Sequence, residues 1–416
     1  MSGERGGRTP TGSTVADTST DRIGVLGAAD SVMSRLRGGD LGALPVILGL
    51  AVIWTVFQIL NPVFLSSGNL VNLTMQCAAI GTIALGVVIV LLVGEIDLSV
   101  GSVAGLGSAV LAVTFVQLQW NLALALLAAV AIGTCVGLLY GIVYTRFGVP
   151  SFVITLAGLL GFLGLQLWVL GDTGSINLPF DSWIVLFAQQ LFLPAWLSYV
   201  AAVLAAAAYA SSLLRRARRR VAADLDSQSL REIGVRAGVL LAVLLVSAWY
   251  LNLSRGVGVM FLFFLLLVVA AHLTLTRTRW GRAVYAVGGS EEAARRAGIR
   301  VDRIYISVFM LCSTLAAVGG VLAAARLSSA GQSSGGGDTN LTAIAAAVIG
   351  GASLFGGRGT AFAALIGIAV IQSISSGLTL LSLASSVQFM VTGLVLVLAV
   401  IVDSVSRRSR AASGRA

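Results

Sequence analysis

The stretch GEIDLSVGS, Gly94 to Ser102, sets two carboxylates two residues apart in the middle of a long apolar run. Leu91, Leu92 and Val93 lead into Glu95 and Asp97, and Val100 to Val116 lead away. Carboxylates are costly near hydrocarbon, so an acid pair inside a membrane marks a functional site by default. The first question is therefore whether the runs on either side of this stretch cross a bilayer.

Composition answers it. Of the 416 residues, 57% are hydrophobic and 11% charged, and the mean hydropathy is +0.96. A soluble domain carries roughly 25% charged residues. The apolar runs are about 17 to 25 residues long, the length of a crossing helix and not of the roughly ten-residue alternating segments of a barrel. The chain reads as an all-α polytopic membrane protein. Pro10 lies in the N-terminal tail, and Pro45, Pro62, Pro150, Pro179 and Pro194 fall at or outside span ends. Cys77, Cys135 and Cys312 all lie within apolar runs. They read as small hydrophobes with no disulfide framework.

Hydropathy predicts about twelve transmembrane helices, within a range of ten to thirteen. They fall near 43–60, 73–93, 98–117, 121–144, 151–171, 196–214, 237–252, 256–276, 304–325, 341–356, 359–381 and 387–403. The stretch 183–193 is apolar but short and lies between Pro179 and Pro194. It reads as interfacial or re-entrant, with a thirteenth crossing as the alternative. Residues 1–42 are polar, lack the apolar core of a signal peptide, and are expected to form a disordered cytoplasmic tail. Residues 43–403 form the transmembrane domain and 404–416 a basic cytoplasmic tail.

Arginine tests this ladder independently, because cytoplasmic loops are enriched in basic residues. All 27 basic residues are arginine; the chain has no lysine. With the N-terminus inside, the inner loops receive Arg35, Arg37, Arg146, the Arg215–Arg220 cluster, Arg277 to Arg303, Arg358 and Arg407 to Arg410. Arg255 and Arg326 fall outside, together with Asp172, Asp181 and Asp338. The split predicts an even number of crossings with both termini cytoplasmic. It also accounts for the net charge of +10 without a nucleic-acid partner. RRARRR at 215–220 reads as a topological anchor in preference to a lipid or nucleic-acid site.

The missing residue types exclude several functions. Without lysine the chain cannot hold a Walker A loop. The Gly-rich GGASLFGGRGT, Gly350 to Thr360, therefore reads as close helix packing or a backbone break, not a phosphate cradle. His272 is the only histidine and reads as an interfacial or packed residue. No Cys/His cluster, HExxH or GxSxG is present, so neither metal nor nucleophilic catalysis has a candidate. The chain is not expected to be an enzyme or to hold a cofactor.

The longest well-marked loop runs from Arg277 to Arg303. Ser290 is a good N-cap, because its hydroxyl can accept from a free backbone N–H. Glu291 and Glu292 then occupy the positive end of a short helix, Arg295 and Arg296 its negative end, and Gly298 suits its left-handed termination. Here the sequence resembles a known family. Glu292-Ala293-Ala294 followed by Gly298 fits the EAA loop of importer permeases in ATP-binding cassette transporters. GEIDLSVGSVAGL (Gly94–Leu106) resembles the branch that imports monosaccharides such as ribose and xylose. RLSSAGQSSGGGDTNLTAIAAAVIGGASLFGGRGT (Arg326–Thr360) is similar to that branch's late signature. SSVQFMVTGLVLVLAVIVD (Ser385–Asp403) looks most like the xylose-type permeases. The resemblance covers most of 65–172 and 277–403. It implies a permease homodimer in a bacterial cytoplasmic membrane, two ATPase subunits that bind the ATP, and an extracytoplasmic sugar-binding protein. It also implies alternating access, with Ser290, Glu292, Ala293, Ala294 and Gly298 forming the loop that couples to the ATPase.

Three readings of the opening stretch stay in play. Asp97 caps the following helix while Glu95 is solvated at the interface; or Glu95, Asp97 and Ser99 line the sugar pathway; or the chain breaks inside the bilayer. A faint internal echo pairs Gly94, Leu98 and Gly101 with Gly350, Leu354 and Gly357 at equal spacing. The competing function is a self-sufficient proton- or sodium-coupled secondary transporter, which calls for mid-span carboxylates or cation-binding breaks.

Overall fold

The computed structural model describes residues 44–225 and 229–391, together with 393, 394, 397 and 401. The polar tails at 1–42 and 404–416 lie outside the described residues, as does part of the expected span at 387–403. Among the described residues, nine helices are long and apolar enough to cross a membrane. The chain is thus an all-α polytopic membrane protein.

A helix buried on every side occupies the centre. After α1 (Leu44–Leu60), α2 (Ser67–Leu92) starts at Ser66, whose side chain accepts from Asn69 N–H at 3.4 Å. Every residue from Gly81 to Leu92 is buried, as expected of a helix apolar all round. The chain then breaks, and α3 (Val100–Ala112) follows, extended by a π-helical turn at Val113–Gln117. Next come α4 (Leu122–Phe147) and α5 (Ser151–Leu170).

The strand β1 (Ser175–Asn177) pairs antiparallel with β2 (Ser329–Gly331), Ile176 opposite Ala330. This small ladder adds two short strands to the expected all-helical fold. Helix α6 (Trp183–Gln189) has seven residues, roughly 10 Å of helix and too short to cross. The thirteenth crossing is thereby removed. Helices α7 (Ala195–Val221) and α8 (Leu230–Asn252) pack chiefly on each other.

Helix α9 (Val259–Arg277) leads into two surface helices, α10 (Arg279–Gly289) and α11 (Glu291–Arg296). The 27-residue α12 (Val301–Leu327) then crosses against α2, α3 and α4. Small residues allow that contact. On α4, Gly133, Gly137 and Gly141 present one face, and a Cβ at any of them would overlap the α12 backbone near Ser313, Phe309 and Ile306. This is the spacing of small residues by which membrane helices approach closely without large apolar knobs.

The span expected at 341–356 is corrected. Helix α13 (Gly337–Ile349) has 13 residues, about 20 Å, less than a hydrocarbon core. Residues 350–361 are a non-helical connection before α14 (Phe362–Leu380). Gly351, Gly356, Gly357 and Gly359 adopt φ of 100°, 80°, 70° and 141°, a conformation that glycine alone enters without strain. The glycine run is a backbone break.

Candidate functional site

The site grows from the end of α2. Leu92 O accepts from Gly357 N–H at 2.9 Å, and a Cβ on Gly288 of α10 would overlap Leu92 O. The end of the central helix, the 350–361 connection and the surface helix α10 therefore meet backbone to backbone. Tyr285 adds a second tie, its O–H donating to Gly359 O at 2.8 Å. Burial raises the Tyr285 phenol above its ordinary pKa, so it stays a donor. The echo between 94–101 and 350–357 ends in contact and not in equivalence. Gly94 has φ +84° while Gly350 is right-handed at −70°, and Gly357 is left-handed while Gly101 is helical.

Helix α11 forms where the sequence places it. Ser290 Oγ accepts from Ala293 N–H at 3.3 Å, and Gly298 follows the last turn with φ +79°. Glu291 and Glu292 stand in the first turn and Arg295 and Arg296 in the last. Arg295 Nη2 donates to Glu291 Oε1 at 2.9 Å and to Asp302 Oδ1 at 3.0 Å. These ion pairs are solvent-exposed and contribute little individually. Ala294 is buried against the bundle, whereas Glu292, Ala293 and Arg296 are exposed. The helix thus turns an apolar seat inward and a charged face outward. Sequence reasoning missed α10, its partner in the same loop.

A chain of side chains runs inward from α11. Tyr305 O–H donates to Glu291 Oε2 at 3.2 Å, the Tyr305 and Tyr144 rings lie 4.7 Å apart, and Tyr144 O–H donates to Glu95 Oε1 at 2.7 Å. These groups border a cavity of about 520 Å³, together with Ser151 and Arg295. Glu95 is therefore half-buried and hydrogen-bonded, not simply solvated at an interface.

Asp97 and Ser99 lie deeper, and both are fully buried. Asp97 Oδ1 accepts from Ser99 N–H at 2.8 Å and Ser99 Oγ–H at 2.7 Å; Oδ2 accepts from Cys312 Sγ–H at 3.7 Å. Tyr140 O–H in turn donates to Ser99 Oγ at 2.7 Å. Cys312 is eleven residues into α12, roughly 16 Å from its start. The acid pair therefore does not sit together at the mouth of the bundle, because the connection folds back inward before α3 begins. Asp97 is also not the N-cap of α3. That position belongs to Ser99, and Asp97 satisfies its N–H from two residues upstream.

Asn340, in the first turn of α13, donates from Nδ2 to Leu98 O and accepts from Gly101 N–H at 3.4 Å. It holds the interrupted α13 against the interrupted entry to α3. Discontinuous helices whose N-termini meet inside a bundle mark substrate and ion sites in transporters. Sequence reasoning missed Asn340, Gly288 and the four tyrosines Tyr140, Tyr144, Tyr285 and Tyr305. The one-face spacing of Tyr140 and Tyr144, four residues apart, and a lone asparagine in an apolar helix were the available signals.

Interrupted helices around a buried polar knot, linked to a capped helix at the bundle surface, define a polytopic transport protein. The chain matches, over residues 69–400, the family described as branched-chain amino acid transport system / permease component, and it belongs to that family. The xylose transport system permease protein XylH of Escherichia coli strain K12 is 35% identical over 376 residues, covering 90% of this chain and 95% of that protein. The XylH of Haemophilus influenzae is 32% identical over 90% of this chain and all of its own length. The ribose import permease protein RbsC of Escherichia coli strain K12 is 31% identical over 86% of this chain and 92% of its own. These matches carry the importer-permease resemblance through the middle of the chain as well. No solved structure matches it significantly.

Proposed function

We propose that this chain is the membrane-spanning permease of an ATP-driven importer of xylose or a related monosaccharide, working by alternating access. In this reading the extended segment from β2 and the short α13 together make one crossing, so that about twelve crossings leave both termini cytoplasmic; the chain sits in a bacterial cytoplasmic membrane and pairs with a second copy. Two separate ATPase chains bind the ATP, and an extracytoplasmic binding protein delivers the sugar. The names and coverage of the relatives support the substrate class.

The observation that carries the coupling role is the chain Glu291–Tyr305–Tyr144–Glu95. It connects a helix with an outward charged face to the break between α2 and α3. In this reading Ser290, Glu292, Ala293, Ala294 and Gly298 dock the ATPase, and closure of the ATPases pushes α11 and α10. Gly288 transmits that push to the end of α2, and the tyrosines transmit it to Glu95. Glu95 then meets sugar hydroxyls near the inner mouth. Asp97 and Ser99 border the pathway once the packed helices separate.

The test is Tyr144→Phe and Tyr305→Phe in vesicles containing permease, ATPase and sugar-loaded binding protein. Each change removes one hydroxyl and about 1 kcal/mol of hydrogen bonding, so insertion and ATPase binding should persist. Uptake per ATP hydrolysed should fall several-fold. An unchanged ratio in both variants removes the coupling role. Uptake driven by a proton or sodium gradient without any ATPase establishes the secondary transporter instead.

A further inference from the structure

A second cavity, of about 360 Å³ and lined by four arginines, lies apart from this site, between the last turns of α7 and α9. Arg215, Arg216 and Arg219 reach it from α7 and Arg277 from α9, with Ser211 and Ser212 beside them. Among the described residues the ion pairs all lie within 291–302, so none joins these four arginines to an acidic side chain. The serine hydroxyls donate to Ala208 O and Tyr209 O at 2.9 and 2.8 Å. Recognition therefore rests on the guanidinium groups. Like charges gathered on one concave wall repel unless an anion sits among them, and the planar guanidinium fork matches the oxygens of phosphate.

The position of the cavity selects the anion. Both helices are crossing helices whose apolar length ends where the arginines begin. The cavity wall on the apolar side is Ala208 and Leu273. Further back along the same helices Val203, Leu204, Leu266 and Val269 are exposed, as lipid-facing side chains are. Arginines at that level meet the phosphates of the bilayer, and basic pockets between membrane helices bind anionic headgroups. The short exposed side chains of Ala205, Ala207 and Ala208 leave room for acyl chains beside them.

We propose that this cavity binds the phosphate-bearing headgroup of an anionic phospholipid, with its acyl chains along α7 and α9. Arg277 is the last residue of α9 and stands two residues before α10. An occupied site thus anchors the start of the surface-helix pair. The proposal requires only the membrane location and not the transport reading.

The full-length chain in mild detergent is titrated with phosphatidylglycerol, with phosphatidylcholine and with inorganic phosphate, following bound lipid by native mass spectrometry and stability by melting temperature. Phosphatidylglycerol should bind well above phosphatidylcholine and raise the melting temperature, and millimolar phosphate should do neither. Each arginine contributes about fivefold near an anionic lipid, so Arg215→Gln with Arg219→Gln should weaken phosphatidylglycerol binding about 25-fold. The corresponding Arg→Lys pair keeps the charges but not the planar fork, and its binding should fall between wild type and the glutamine pair. Arg277→Gln, on the other helix, gives an independent reading should the double variant fold poorly, and it should weaken binding about fivefold. Equal binding of phosphatidylglycerol by wild type and the glutamine variants overturns the site. Binding of phosphatidylcholine as strong as that of phosphatidylglycerol, or a phosphate effect matching the lipid's, overturns the lipid assignment.

Discussion

Asp97 and Glu95 show how far two residues of the same chemistry can diverge within one stretch. Asp97 is fully buried and accepts every bond within reach from Ser99 and Cys312. Replacing it by alanine leaves those donors unpaired, at about 1–3 kcal/mol for a buried group. Asp97→Asn keeps an acceptor oxygen for Ser99 and should cost less. Thermal unfolding of the purified protein should rank wild type above Asp97→Asn and Asp97→Asn above Asp97→Ala; an alanine variant as stable as wild type contradicts the buried network. Glu95 borders a cavity, and among the described residues its carboxylate accepts from Tyr144 alone. Glu95→Gln still accepts from that phenol, so stability should shift by less than about 0.5 kcal/mol. If Glu95 meets the sugar, uptake in reconstituted vesicles should nevertheless fall; wild-type uptake removes it from the pathway.

At the scale of elements, two glycines carry opposite duties. Gly137 is needed for proximity, since a side chain there would overlap Phe309 O on α12. Gly137→Val should wedge α4 from α12 and lower the yield of folded protein on size exclusion, an overpacking cost of about 1–3 kcal/mol. Gly298 is needed for conformation, since its φ is +79° and nothing crowds it. Gly298→Val strains the end of α11 because β-branched residues are poor in the left-handed region. It should leave the bundle folded while weakening ATPase capture in a pull-down, as should Glu292→Arg by reversing a charge on the exposed face. Full ATPase capture by both variants would mean that the loop is only a connector.

At the scale of the whole molecule, orientation is the decisive quantity. Arg215–Arg220 ends α7 and Asp181 precedes α6, and the arginine distribution puts the first inside and the second outside. With Cys77, Cys135 and Cys312 removed, a cysteine at 217 should resist an impermeant reagent applied to intact cells, and one at 181 should react. The reverse pattern inverts the proposed topology and places α11 where no cytoplasmic ATPase can reach it.

Hydropathy, arginine placement and capping residues by themselves determined the membrane class, most helix bounds and the capped helix at 290–298. Those signals are local: a run of apolar side chains has no other stable state in lipid, and a cap is complete within four residues. The family was legible for the same reason, in contiguous motifs. The depth of Asp97, the shortness of α13 and the contact of Gly288 with Leu92 were decided by tertiary structure alone. An apolar run reads alike whether it crosses fully or stops midway, and an acid reads alike at a mouth or in a knot. What separates these cases is which hydrogen-bond donors face the carboxyl. Those donors come from residues 99 and 312, far apart in sequence and brought together by close packing of α12, which Gly86 on α2 admits because a Cβ there would overlap Cys312 O.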